Sequence, residues 1–267
     1  MSELTERQER ERRLHDRWAS EVAPDDLLVE ESFAAPTALE NRFILGFLGS
    51  LAGKRILDLG AGAGEASLFF ASRGARVTAL DISPAQIAVL SRAASARGLA
   101  VEALAIPAEE LPFPDQTFDL AYGNSVLHHV DYRRVVPEVR RVLKPGGRVA
   151  FIEPLAYNPL IQVYRRLGAD IHTPDERPLT MRDIRWIMSQ LGRSAHREFW
   201  ISALVLFLYF WLGERASPMR ERYWKKVIRD GHRYGRFMRP FFLADRVLGH
   251  VPGVRLLAWN TVITGER

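Results

Sequence analysis

Residues 55–65 constrain this chain most. An apolar run, Arg55-Ile56-Leu57-Asp58-Leu59, breaks into Gly60-Ala61-Gly62-Ala63-Gly64 and resumes at Glu65 with helical spacing. A short apolar run ended by glycines reads as a buried strand. Glycines let the backbone turn sharply and let a ligand approach the chain closely. A strand, a glycine turn and a helix in that order place such a ligand at the carboxyl edge of a sheet, beside a helix N-terminus.

The chain then repeats this alternation of strand and helix. Residues 65–72 read as a helix, 76–80 as a strand, and 84–97 as a helix with Ser83 as N-cap and Pro84 at its start. Residues 101–106 and 118–122 read as strands, 132–143 as a helix stopped by Lys144-Pro145-Gly146-Gly147, and 148–153 as a fifth strand. Repeated strand–helix–strand units imply a mostly parallel sheet with helices on both faces. The expected fold class is therefore α/β, a doubly wound (Rossmann-like) sheet of seven strands. Upstream, residues 1–20 read as a charged helix with Leu14 and Trp18 on one face, and 41–51 as a second helix. Downstream, 180–191 reads as a helix, and 195–202 and 258–264 as strands. The division expected is a helical segment 1–52, an α/β domain 53–200, a helical insertion 201–257, and a final strand 258–267.

The glycine spacing separates two ligand classes. A dinucleotide site uses G-x-G-x-x-G/A, which from Gly60 needs a small residue at position 65, and this chain has Glu65 there. A diphosphate would also meet that carboxylate. The spacing is G-x-G-x-G, preceded by Asp58, and Asp81 stands at the end of the second strand. This resembles motif I of the class I S-adenosylmethionine-dependent methyltransferases. Their cofactor carries no phosphate, and its sulfonium and ammonium are favoured by nearby carboxylates. The resemblance runs to about residue 153: Pro107-Ala108-Glu109-Glu110-Leu111-Pro112-Phe113, then Asn124-Ser125-Val126-Leu127-His128-His129-Val130, then Leu143-Lys144-Pro145-Gly146-Gly147. The ubiquinone/menaquinone-type subgroup and its small-molecule relatives are the most similar.

The resemblance implies S-adenosyl-L-methionine as cofactor, held by Asp58, Gly60, Ala61, Gly62, Gly64, Glu65, Asp81, Ile82, Gln86, Pro107, Ala108, Glu109 and Asn124. Asp81 would accept ribose hydroxyls; its alternative reading is a helix cap. The family often carries Asp where Pro107 stands, so adenine recognition must lean on the backbone around Ala108. His128 and His129 follow the fourth strand, titrate near neutral pH, and are the candidate general bases; the alternative is that they only pack there. Glu153, Tyr157 and His172 follow the fifth strand and are weaker candidates for the acceptor side. No metal ligand set is assigned from the sequence.

The chain has no cysteine, which removes disulfides, thiolate zinc, cysteine-held clusters and a cysteine nucleophile, and with it cytosine-C5 methylation. The D/N-P-P-Y/F motif of amino-methylating nucleic-acid enzymes is replaced by Asn124-Ser125-Val126-Leu127. A nucleic-acid partner is thereby disfavoured, although the formal net charge is +5. The first residues lack a signal-peptide pattern, so a cytoplasmic site is expected. The excess of basic charge collects after the apolar run 201–212, at Arg215, Arg220, Arg222, Lys225, Lys226, Arg229, Arg233, Arg236 and Arg239, interleaved with aromatics. Twelve apolar positions are too few to span a bilayer. Apolar, basic and aromatic residues together suit either a lid over an apolar acceptor or a peripheral contact with an anionic membrane surface. The expected function is methyl transfer to O or C of an apolar, lipid-like or quinone-like small molecule. The alternatives are a soluble aromatic acceptor and cofactor binding without turnover.

Overall fold

The alternation of strands and helices folds as its hydrophobic pattern requires. The computed structural model describes residues 5–167, 173, 175–217 and 221–267. Its helices are α1 (Glu6–Ser20), α2 (Glu31–Ala34), α3 (Leu39–Leu48), α4 (Glu65–Ser72), α5 (Pro84–Ala96), α6 (Tyr132–Val142), α7 (Pro159–Leu167), α8 (Met181–Gln190), α9 (Val205–Leu208), α10 (Tyr223–Arg229) and α11 (Gly231–Leu248). Its strands are β1 (Arg55–Leu59), β2 (Arg76–Asp81), β3 (Val101–Ala105), β4 (Phe118–Asn124), β5 (Leu143–Pro154), β6 (Ser194–Phe199) and β7 (Asn260–Glu266). They form one sheet in the order β3-β2-β1-β4-β5-β7-β6. β1 to β5 run parallel, and β7 lies antiparallel between β5 and β6. The seven-stranded, mostly parallel, doubly wound sheet expected from the sequence is the sheet observed.

Side chains along each strand alternate between two faces. Ile56, Leu120, Tyr122 and Ile152 enter a core shared with α3, α4 and the segment after β6. Leu57, Leu59, Phe151 and Ile263 enter another, shared with α6 and α8. Both faces are therefore covered, which is why the strands read as continuous apolar runs. From β1 the chain winds outward through β2 and β3, then returns to lay β4 on the other side. The carboxyl ends of β1 and β4 thus flank the crevice where sheets of this type bind ligands.

Element ends differ from the sequence expectation for local reasons. Lys144 to Gly147 do not end α6 outside the sheet; β5 begins at Leu143 and contains them, with the β4–β5 register shifting between Phe118 and Leu120. A Cβ on Gly147 would lie 2.8 Å from the Lys144 carbonyl oxygen, so this irregularity needs glycine. β6 stops at Phe199, because Trp200 takes φ +64° and bends the chain. β7 starts two residues later than expected, at Asn260.

Between β6 and β7 the chain is helical. In the apolar run, Leu204, Leu206, Phe207 and Phe210 are buried, while Leu208, Tyr209, Trp211 and Leu212 are exposed. Asp245 on α11 accepts from the Ile201 and Ser202 amides at 3.0 and 2.6 Å and fastens the start of this run. The buried residues of α11, Gly231, Tyr234, Met238 and Asp245, fall on one face at helical spacing. Thr37 Oγ1 donates to the Val227 carbonyl at 2.6 Å, tying α10 to the turn between α2 and α3. Among the described residues no helix is long and apolar enough to cross a membrane.

Candidate functional site

β1 delivers Asp58 and Leu59 into the core, and the chain then turns through Gly60, Gly62 and Gly64, all at positive φ. The three glycines have different surroundings, and a Cβ on Gly60 would lie 2.8 Å from Val126 Cγ2. A Cβ on Gly64 would lie 2.2 Å from Leu90 Cδ1, so this residue lets α4 pack on α5. A Cβ on Gly62 would meet nothing within 4 Å, so that position faces open space. β2 ends at Asp81, whose carboxylate accepts from the Gly62 amide at 2.9 Å and the Ser83 amide at 2.8 Å. Asp81 therefore braces the glycine turn from the neighbouring strand, and it bonds the amide of Ser83, the N-cap of α5, without bonding any amide within that helix. Each of its oxygens retains further acceptor capacity. Ser83 caps α5 as expected, with Oγ accepting from the Gln86 amide at 3.1 Å.

The turn opens into a cavity of about 420 Å³ at the carboxyl edge of the sheet. Asp58, Gly60, Ala61, Gly62, Glu65, Asp81, Ile82, Gln86, Pro107, Ala108, Glu109 and Asn124 all line it, as do His128 and His129. Gly64 does not; it sits behind the turn. The loop after β3 brings Pro107 to Glu109, and Glu109 is held by Gln8 Nε2 at 3.1 Å. The head of the cavity is acidic. Asp58 is 1% exposed and bonded to Ser67 Oγ at 2.5 Å. Burial, reinforced by the charges of Asp81 and Glu65, pushes its carboxyl up from 3.8 to about 7.

Beyond the glycine turn the cavity continues between the sheet and the helices after β6. Phe33, Tyr122, Ile161, Trp200, Trp224 and Trp259 line this part. Tyr122 donates to Asn41 Oδ1 at 2.8 Å and Trp200 Nε1 to Glu40 at 3.2 Å, so their polar ends are satisfied and their rings are positioned. α1 closes one side: Asp16 accepts from Ser83 Oγ at 2.5 Å, and the Arg222 guanidinium lies 4.5 Å from the Trp18 ring centroid.

The two histidines have different surroundings. His128 is 5% exposed, and its Nδ1 lies 2.7 Å from Glu153 Oε2. Glu153, fully buried, also accepts from the amides of Val126, Leu127 and His128 at 3.0, 2.7 and 3.3 Å. That carboxylate can only accept, so it assigns the His128 proton to Nδ1 and leaves Nε2 as the basic nitrogen. His129 Nδ1 instead lies 3.0 Å from Glu11 Oε2, on α1. Burial raises the Glu11 carboxyl, but the hydrogen bond and charge of His129 outweigh it and hold the group below its ordinary value. His15, also on α1, is lowered by burial. Glu153 thus supports His128 from beneath and does not line the cavity. Tyr157 points elsewhere, its hydroxyl accepting from the Met181 amide at 2.8 Å. His172 lies outside the described residues. Glu11, His15 and Glu176 line the cavity, although no motif in the sequence singles them out.

The cofactor named by the resemblance can be tested against this geometry. Gly62 leaves room for close approach, Asp58, Glu65 and Asp81 suit a cationic ligand, and Gln86 Oε1 is buried on the cavity wall without a hydrogen-bond partner among the described residues. These residues fit S-adenosylmethionine.

Comparison with known proteins agrees. Residues 57–151 match the family model described as a methyltransferase domain. The chain is 40% identical over 141 residues to the demethylmenaquinone methyltransferase of Thermus thermophilus, covering 50% of this chain and 63% of that protein. It is 37% identical over 123 residues to a ubiquinone biosynthesis O-methyltransferase of Pseudomonas aeruginosa, covering 45% of this chain and 52% of that one. The matches thus span between half and two thirds of those relatives. Among solved structures, the geranyl diphosphate C-methyltransferase of Streptomyces coelicolor, in complex with Mg2+, geranyl-S-thiolodiphosphate and S-adenosyl-L-homocysteine, superposes with TM-score 0.67 over 100% of both chains at 17% identity. The YcgJ protein of Bacillus subtilis gives 0.54 at 21% identity, over 87% of this chain and 97% of that one. At these identities the structures establish the fold alone. Residues 57–151 are thus similar to a methyltransferase domain, and the seven-stranded sheet with its glycine turn is the arrangement on which the resemblance to class I S-adenosylmethionine-dependent methyltransferases rests.

Proposed function

We propose that the chain transfers the methyl group of S-adenosylmethionine to an oxygen or carbon of an apolar, quinone-like or natural-product small molecule. One observation carries this reading: the cavity that begins at the acidic glycine turn continues without a break into a chamber walled by Trp200, Trp224 and Trp259. A polar head for a cationic cofactor and an apolar tail for an acceptor are thereby joined. The quinone-related names of the curated relatives support the same acceptor class.

In this reading Asp58, Gly60, Ala61, Gly62 and Glu65 hold the cofactor's amino-acid half, and Asp81 accepts from the ribose hydroxyls. Ile82, Gln86, Pro107, Ala108, Glu109 and Asn124 surround its nucleoside half, and Gly64 keeps the turn in shape. The bound cofactor supplies an electrophilic methyl carbon whose sulfur leaves as a neutral thioether. The chain's own contribution is positioning, worth up to roughly 7–11 kcal/mol in favourable cases, and proton removal from the acceptor. His128 is the better placed base, because Glu153 fixes its tautomer and would stabilise the imidazolium it becomes. The helical segment 1–52 and the insertion 201–257 act as covers over the α/β domain 53–200 and its last strand, 258–267.

The experiment is mass spectrometry of small-molecule extracts incubated with the protein and a methyl donor carrying a labelled methyl group. One apolar product heavier by the labelled methyl is expected, with its formation lowered roughly 10²-fold in His128→Gln. Label appearing only in protein or nucleic acid would refute the acceptor class.

A second reading concerns where the acceptor is met. Tyr209, Trp211, Leu212, Phe237, Leu243 and Val247 are large exposed apolar residues of the insertion. Arg236, Arg239 and Arg246 are exposed on the same helix, α11, and form no ion pair among the described residues. Apolar side chains beside unpaired cations favour contact with an anionic lipid surface. The basic residues that suggest this contact in the sequence are less suitable. Lys226 is buried against Glu214 and Asp230, both at 3.0 Å; Arg229 pairs with Glu221; Arg222 is partly buried on Trp18. Arg220 lies outside the described residues.

A further inference from the structure

Five side chains from three separate parts of the chain meet on one wall of the cavity: Glu11 and His15 of α1, His128 and His129 after β4, and Glu176 before α8. Glu11 and His15 are one helical turn apart and share a face. Glu11 Oε2 lies 3.0 Å from His129 Nδ1 and 3.9 Å from His15 Nε2, and His129 Nδ1 lies 3.9 Å from Glu176 Oε1. Within the set Glu11, His15 and His129, and again within His128, His129 and Glu176, one donor atom from each residue falls within 4.8 Å of the others. Four donors placed about 2.1 Å from a tetrahedral ion are about 3.4 Å apart, and the measured separations bracket that value.

We infer that this cluster is a binding site for a divalent first-row transition-metal ion. Three imidazoles with two carboxylates suit Zn2+, Fe2+ or Mn2+ and disfavour an all-oxygen ion such as Mg2+. A second observation separates the cluster from a chance grouping. Three of the five residues have their other polar atom already fastened. Thr173 Oγ1 donates to Glu11 Oε1, Arg165 Nη2 binds Glu176 Oε2 at 2.6 Å, and Glu153 holds His128 Nδ1 at 2.7 Å. Each of these partners turns the residue's second donor atom toward the cluster; for Glu176 that atom, Oε1, also accepts from the Thr173 amide at 2.9 Å and keeps a lone pair for an ion. That is the arrangement of outer-shell groups that orient metal ligands, the carboxylate–histidine pair above all. The side chains of Glu11, His128 and Glu176 are at most 5% exposed, so the site is also shielded from water.

The ion site itself does not depend on the methyl-transfer reading. Its use does: an ion held here borders the same cavity as the glycine turn, where an acceptor oxygen bound to it would lose its proton more readily and His128 Nε2 would serve as a ligand in place of a base.

The test uses the full chain, stripped with a chelator and exchanged into metal-free buffer. Titration with Co2+ should give visible absorption of a nitrogen/oxygen site that saturates at one equivalent and is displaced by Zn2+. Calorimetry with Zn2+ should show one site, and with Mg2+ none of comparable affinity. Glu11→Gln/His15→Gln should weaken Zn2+ binding roughly tenfold or more, whereas His232→Gln, at an exposed histidine on α11, should not change it. His129→Gln serves as an independent variant if the double variant fails to fold by circular dichroism. Absence of a saturable site in the wild type would overturn the proposal. So would unchanged affinity in a folded variant, since the cluster would then be only a buried ion-pair network. S-adenosylhomocysteine titrated in parallel keeps failure of the ion site distinct from failure of the methyl-transfer reading.

Discussion

Asp58 offers a test in which burial fixes the sign and sets the order of magnitude. The carboxyl is buried under the glycine turn, and burial with the nearby Asp81 and Glu65 charges raises it from 3.8 to about 7. Between those values the folded chain binds a proton that the unfolded chain has lost. Stability therefore falls as pH rises through this window, and the full cost of the buried charge is present above it. Each tenfold in proton affinity is worth about 1.4 kcal/mol. The cost is then about 2 kcal/mol at pH 5 and about 4 kcal/mol at pH 8. Asp58→Asn keeps the shape and still accepts from Ser67 Oγ, but never ionises. Without cofactor it should be more stable than wild type, with the gap widening by about 2–3 kcal/mol from pH 5 to pH 8. Urea unfolding of both proteins at each half pH unit measures the gap. A difference that stays flat across the range would refute the reasoning.

Two further predictions use other parts of the cavity wall and its surroundings. Gly64→Ala should destabilise the fold by about 2–5 kcal/mol, from positive-φ strain plus the clash with Leu90. Gly62→Ala meets open space and should cost only about 1–2 kcal/mol while weakening S-adenosylhomocysteine binding at least tenfold; equal effects of the two variants on stability would contradict the distinction. Co-sedimentation with anionic vesicles at low salt should fall roughly 100-fold when Arg236, Arg239 and Arg246 are changed to Gln, since each contributes about 1 kcal/mol. A wild-type chain that stays in the supernatant under every condition removes the membrane reading.

Much of this fold is legible in the sequence because its signals are local. The run 55–59, the glycines after it and Ser83-Pro84 each specify a backbone conformation within a few residues, and β1 and α4 fall where the sequence puts them. All but Gly64 of the residues expected on the cofactor side line one cavity, since they lie at or within a few residues of the carboxyl ends of β1 to β4. What is not legible depends on contacts distant in sequence. Glu11 meets His129 across 118 positions, and a charged helix gives no sign that one of its glutamates is buried. Nor does a run of arginines reveal which of them are paired: Lys226 and Arg236 look alike in the sequence, but one is buried among carboxylates and the other is exposed.

The most direct test of the methyltransferase assignment is calorimetric titration of the full chain with S-adenosylhomocysteine and, separately, with NAD. One equivalent of S-adenosylhomocysteine should bind and NAD should not. Asp81→Ala should weaken binding at least tenfold, by losing charge-assisted bonds to the ribose worth roughly 1.5–3 kcal/mol each and by releasing the Gly62 amide that Asp81 now braces. Tight NAD binding, or no binding of S-adenosylhomocysteine by folded protein, would contradict the assignment of the glycine turn on which everything else rests.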